Sequence, residues 1–96
     1  DAQRLKAKWE SKLSAYLQAH MRYPKDREDK VTIVTVNLVI NRLGHVLSVG
    51  IEKSSGDSSF DQAAISGVRR SDPLPPPPSA VTDEQFSYVL AMKFKQ

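Results

Sequence analysis

Gln85-Phe-Ser-Tyr-Val-Leu-Ala-Met-Lys-Phe-Lys95 is the stretch that decides how this chain folds. Phe86, Tyr88, Leu90, Met92 and Phe94 alternate with Gln85, Ser87, Val89, Ala91, Lys93 and Lys95. Period two puts the large apolar residues on one face and a smaller, wetter set on the other, which predicts an antiparallel strand lying on a core. A proline-rich break precedes it, so its pairing partners must lie far back in the sequence. The last strand to join a small sheet often sits at its edge, where a row of N–H and C=O groups is left for a partner.

Two other strands are available to it. Val31 to Ile40 carries Val34, Val36, Leu38 and Ile40 on one face and the mixed set Val31, Ile33, Thr35, Asn37 and Val39 on the other. Apolar character on both sides predicts a central strand, partly covered on its second face. Asn41-Arg-Leu-Gly44 is a hairpin turn, with Asn41 to initiate it and Gly44 to take a positive φ. His45 to Lys53 returns as the next strand. Its Val46 is out of phase with Val49 and Ile51, which a bulge near Leu47–Ser48 reconciles, and Gly50 also accommodates an irregularity.

Residues 4 to 21 predict an amphipathic helix, with Leu5, Trp9, Leu13, Tyr16, Leu17 and Met21 on one face packed on the sheet. His20 falls near its C-terminus, where a cation meets the negative end of the dipole. Tyr23-Pro24 ends it, because a residue before proline avoids the helical region. Lys25 to Lys30 is a mixed-charge connector. A second helix runs from the Ser58-Ser-Phe-Asp61 capping box, with Asp57 as the alternative N-cap, to about Arg70. Phe60, Ala64 and Val68 form its buried face. Gly67 inside it costs about 1 kcal/mol relative to Ala, and a close backbone approach by a neighbour would account for it. Arg69 and Arg70 close the helix at the favourable end of its dipole. Ser71-Asp-Pro-Leu-Pro-Pro-Pro-Pro78 is then a stiff, extended spacer leading to the last strand.

The element order is α-β-β-α-β. Placing the last strand against the first, opposite the second, gives a two-layer α+β domain. Its three-stranded antiparallel sheet carries two helices on one face, and both outer strands are edges. The 96 residues suit a single domain covering 1–96. With no Met at position 1, the expectation is a fragment of a longer protein.

Composition narrows the chemistry. With no cysteine, thiolate and disulfide chemistry are excluded. His20 and His45 fit no metal-ligand spacing, and no carboxylate pair, nucleophile elbow or phosphate-cradling glycine loop is present. A binding module with no catalytic residue, metal or cofactor is expected, not an enzyme. The net charge of +3 is spread thinly, since the first thirty residues hold eight Lys/Arg against five Asp/Glu. A nucleic-acid binder concentrates its basic residues in a stripe, and an RNA-binding sheet places aromatics on its central strands, which have none here.

An ordered set of short motifs carries a family resemblance. It comprises Trp9 and Leu13–Leu17 leading into Arg22-Tyr23-Pro24, then strand and glycine turn from Val36 through Gly44-His-Val46, then Val49-Gly-Ile51 into Ser54-Ser-Gly56. Phe60-Asp-Gln-Ala-Ala64, Val68-Arg-Arg70, Pro73-Leu-Pro75 and Met92-Lys-Phe94 complete it. The set resembles the C-terminal domain of the TonB family of periplasmic energy transducers, with Ser71-Asp72 and the proline run standing where the family commonly has an aromatic-rich stretch. That departure points to a dedicated paralogue, such as the haem-acquisition HasB type.

The resemblance implies a periplasmic domain anchored to the inner membrane by an N-terminal helix outside this sequence and energised by an ExbB/ExbD-like complex. The domain binds the TonB box of an outer-membrane receptor as a strand beside its last strand and passes energy on for siderophore- or haem-type uptake. The candidate contacts are Ser87, Val89, Ala91 and Lys93 on the strand, His20, Met21, Arg22 and Tyr23 at the helix end, and Arg69 and Arg70. The alternatives are a TolA-like envelope-integrity domain, against which the lack of cysteine argues, and homodimerisation through the exposed edges. Whether the last strand's edge is free or covered by its own chain is left open.

Overall fold

The computed structural model describes residues 1–24 and 31–95, so the mixed-charge connector lies outside the described residues. The elements are α1 (Ala2–Ala19), β1 (Thr32–Asn41), β2 (Val46–Lys53), α2 (Ser58–Arg70) and β3 (Gln85–Phe94). The sheet order is β2-β1-β3, antiparallel throughout, with β1 in the centre.

β1 and β3 bury the face that their alternation marks. Val34, Val36, Leu38 and Ile40 of β1 and Phe86, Met92 and Phe94 of β3 are buried, and Tyr88 and Leu90 pack partly against them. Trp9, Leu13 and Leu17 of α1 and Phe60, Ala64 and Val68 of α2 close the core from the same side. Phe60 is its hub, edge-on to Phe94 at 5.5 Å and to Tyr23 at 5.3 Å between ring centroids, a geometry that aromatic quadrupoles favour. No described helix lies on the second face of the sheet, where Thr35, Asn37 and Val39 of β1 are nevertheless half-buried. Ile33 is 53% and Val89 60% exposed. On α1, Leu5 is also 41% exposed.

Both helices begin at an aspartate cap. Asp1 caps α1 by accepting from Gln3 N at 3.0 Å. Asp57, not Ser58, caps α2 and accepts from Ser59 N at 3.0 Å. Asp61 turns back to the β2–α2 turn instead, where it accepts from Ser55 N at 3.0 Å, Ser55 Oγ at 2.8 Å and Ser54 Oγ. Partial desolvation works to raise the Asp61 pKa, but these hydrogen bonds together hold it below the usual carboxylate value.

The proline-rich connector is built into the core, which corrects its reading as a spacer. Leu74 and Val81 are buried. Leu74 N donates to Gly44 O at 2.7 Å, and Trp9 Nε1 donates to Pro75 O at 2.8 Å. The hairpin turn receives the connector because Gly44 has φ +87° and no side chain. A Cβ there would stand 2.0 Å from the Leu74 carbonyl oxygen. Further on, Arg42 N donates to Glu84 O at 3.1 Å and Arg42 Nη1 to Asp83 O at 2.9 Å, which delivers the chain into β3. Gly67 also serves a close approach, although a side chain makes it. A Cβ there would lie 2.6 Å from Met21 Cε, with the His20 carbonyl at 3.5 Å.

Candidate functional interface

β3 pairs with β1 one to one along its whole length, from Thr32↔Phe94 to Asn41↔Gln85, without a register shift. In an antiparallel ladder, successive residues point their N–H and C=O groups alternately toward and away from the neighbour. The parity is marked at Lys93. Its N–H donates to Gln18 Oε1 at 3.0 Å, and its C=O accepts from Gln18 Nε2. Lys93 therefore faces away from β1. With no shift in the ladder, Ala91, Val89 and Ser87 do as well. Their side chains are exposed, so these residues turn both backbone and side chain away from the core and from β1. Among the described residues no strand lies beyond β3.

α1 runs beside this edge. Lys6 Nζ reaches the Phe86 ring at 5.9 Å, and Asp83 lies 3.9 Å from the same nitrogen. One turn on, Tyr88 Oη donates to Glu10 Oε2 at 2.7 Å. Two further turns bring Gln18 to Lys93. Burial, with the Glu10 hydrogen bond and charge adding to it, pushes the Tyr88 hydroxyl well above its ordinary value. Tyr88 is thus a neutral donor that ties the helix to the strand.

The helix end that the sequence marks also lies here. Met21 and Tyr23, together with Gln18, Lys93, Phe94 and Lys95, line an open cleft of about 360 Å³ at the C-terminal end of β3. His20 turns inward on its own helix. Its ring lies 4.4 Å from that of Tyr16, and Nδ1 is 2.8 Å from Tyr16 O. Arg70 Nη2 donates to His20 O at 2.9 Å, so Arg70 caps the end of α1 as well as closing α2. Arg22 and Arg69 are exposed. Of the candidates read from sequence, the structure brings Ser87, Val89, Ala91 and Lys93 to one edge and Met21 and Tyr23 to the cleft beside it. Gln18 and Glu10 were missed. Their i, i+4 relation through Ser14 was the available signal, but a polar helix residue gives no sign of what lies beside it. Among the described residues, no group of His, Asp and Glu is placed to hold a metal ion.

Residues 6–94 match the family described as TonB C terminal. The chain belongs to that family. It is 31% identical over 78 residues to Protein TonB of Pasteurella multocida (strain Pm70), covering 79% of this chain and 30% of that protein. It is 31% identical over 85 residues to Protein TonB of Pseudomonas putida, covering 86% of this chain and 35% of that protein. The chain therefore spans about a third of the length of these relatives. Among solved structures, the TonB C-terminal domain of Helicobacter pylori (residues 179–285) superposes with a TM-score of 0.77 over 99% of this chain and 91% of that one, at 21% identity. This establishes a shared fold. The HasB C-terminal domain matches with a TM-score of 0.58 at 35% identity, covering 90% of this chain and 68% of that one.

Proposed function

We propose that this domain is the receptor-docking end of a TonB-type energy transducer. It takes the TonB box of an outer-membrane receptor as an added strand beside β3. The observation that carries this reading is the unbroken β3 edge, on which Ser87, Val89 and Ala91 hold their backbone groups outward. Each hydrogen bond to an added strand contributes roughly 0.5–1.5 kcal/mol net. Backbone pairing is tolerant of sequence, so one domain can serve several receptors, while side chains beside the edge set the preference. Val89, Ala91 and Lys93 on the open face and Met21, Arg22 and Tyr23 by the cleft are the side chains offered. His20 stands beside them at the end of α1, and Arg69 and Arg70 provide positive charge at the end of α2.

The wider reading follows from family membership. Residues 1–96 form the periplasmic end of a longer protein, held in the inner membrane by an N-terminal helix and energised by an ExbB/ExbD-like complex. The imported cargo is of the siderophore or haem class.

The test is titration of the ¹⁵N-labelled domain with a ten-residue receptor TonB-box peptide. Backbone amides of Ser87 to Ala91 are expected to shift most, followed by those of Met21 and Tyr23. Shifts confined to β1 and β2 would overturn the reading. A strict dimer at micromolar concentration by sedimentation would assign the edge to self-pairing instead.

A further inference from the structure

Gln18 meets Lys93 as a neighbouring strand residue would. One carboxamide accepts from the Lys93 N–H and donates to the Lys93 C=O, which is the paired exchange that a residue opposite makes in an antiparallel ladder. The side chain is held from α1, a different layer of the fold. Its carboxamide therefore ends the open part of the edge at Ala91 and, among the described residues, leaves Ser87, Val89 and Ala91 as outward positions without such a substitute. Beyond the stop lies the cleft of about 360 Å³ lined by Met21, Tyr23 and Phe94.

We propose that Gln18 sets the register of the added strand. It occupies the Lys93 position of the ladder, so that a partner strand pairs through Ala91 and then leaves the sheet over the Met21–Tyr23 cleft. The inference rests on the strand-addition reading and deepens it. The physical need is real, because backbone pairing alone discriminates poorly between registers that differ by two residues. Such a slip returns every side chain to the same face. A fixed stop at one end removes that degeneracy. Gln suits the task because it offers both a donor and an acceptor. The Gln18→Glu substitution would keep the acceptor for the N–H but would set a carboxylate against the Lys93 carbonyl.

The experiment uses Gln18→Ala and Gln18→Glu in the 96-residue domain, with the ten-residue TonB-box peptide carrying a nitroxide at either end. In the free domain, Gln18→Ala is expected to speed hydrogen exchange at the Lys93 amide at least tenfold, and Gln18→Glu to speed it less. With peptide, the wild type should keep the same Lys93 protection, and paramagnetic broadening should fall off past Ala91. In Gln18→Ala the peptide should restore Lys93 protection, and the broadening should move two residues toward Lys95.

Identical broadening in wild type and variant would overturn the register role while strand addition stands. Unchanged Lys93 exchange in the free variant would overturn the capping contact itself. If the peptide shifts no β3 amide in any of these proteins, strand addition fails and the register role with it. Gln18 is exposed, so its replacement leaves the core intact. Should Gln18→Ala alter the whole spectrum, Gln18→Glu carries the same readouts.

Discussion

β2 meets β1 with two register shifts, and β3 meets it with none. Between Thr35/Val36 and between Val39/Ile40 the β1–β2 ladder slips, so that Glu52 and Leu47 are left without a partner in it. Glu52 then accepts from Asn37 Nδ2 at 3.1 Å across Gly50, whose missing side chain makes room for Asn37. Bulges twist and bend a strand, which is one way natural sheets blunt an edge. β3 has straight pairing, small side chains on its open face and a helix alongside. The two edges thus differ in regularity more than in exposure, and an added strand needs regularity because its hydrogen bonds must stay in phase over several residues.

The sharpest way to break this comparison is proline. Leu90 faces β1, by the parity that Lys93 establishes, so Leu90→Pro removes a ladder hydrogen bond and inserts a ring into the centre of the sheet. Loss of the cooperative thermal transition is expected. Val89→Pro, one residue away, removes only an outward N–H. The domain should still melt cooperatively by circular dichroism, while peptide affinity by calorimetry falls more than tenfold. If both variants behave alike, the parity of β3 is wrong.

Next in size is Gly44→Ala. The positive φ and the overlap with Leu74 O together cost roughly 2–4 kcal/mol, measured by urea denaturation. Because this contact anchors the connector that delivers β3, amide exchange should rise at both edges together and not in the hairpin alone.

Tyr88→Phe tests the bond from β3 to α1 and should cost about 1 kcal/mol. It also has a pH signature. The folded-state pKa of Tyr88 is raised above its unfolded value of 10.0. Its stabilisation is therefore complete below about pH 10 and is lost as pH rises through the folded pKa. The wild type should lose more stability than Tyr88→Phe over that alkaline range, and equal slopes would contradict the contact.

Asp61→Asn, under the β2 end of the sheet, should have the smallest effect. The folded pKa of Asp61 is lowered, so its stabilisation is present above the unfolded value of 3.8 and is lost as pH falls through the folded pKa. Urea midpoints of wild type and variant should converge in acid. Peptide affinity should not change, since this turn lies beside β2.

Much of the architecture was legible because burial and secondary structure share a period. The alternation in Gln85–Lys95 named the buried residues of β3, and the misplaced Val46 pointed to the bulge that the structure puts at Leu47. The second irregularity, at Glu52, left no trace because polar residues lie on its C-terminal side and a polar residue there breaks no apolar pattern. The proline run misled for a physical reason. Proline forbids helix and central strand, but it says nothing about whether the carbonyls between prolines find donors. Here Trp9 Nε1 donates to the Pro75 carbonyl and the Gly44 carbonyl accepts from Leu74 N, at sequence distances that no local pattern encodes.

At the edge itself the division is similar. Periodicity, the hairpin glycine and the proline break determine that the chain makes an α-β-β-α-β sheet domain in which the last strand joins late and shows one wet face. Which flank of β3 meets β1, and hence which residues hold their backbone groups outward, depends on where β1 and the helix layer sit. Only the tertiary structure decides that. The same holds for Gln18. In sequence it is one polar residue on a helix, and it becomes a stop on the ladder only because packing of Trp9, Leu13 and Leu17 lays α1 along β3.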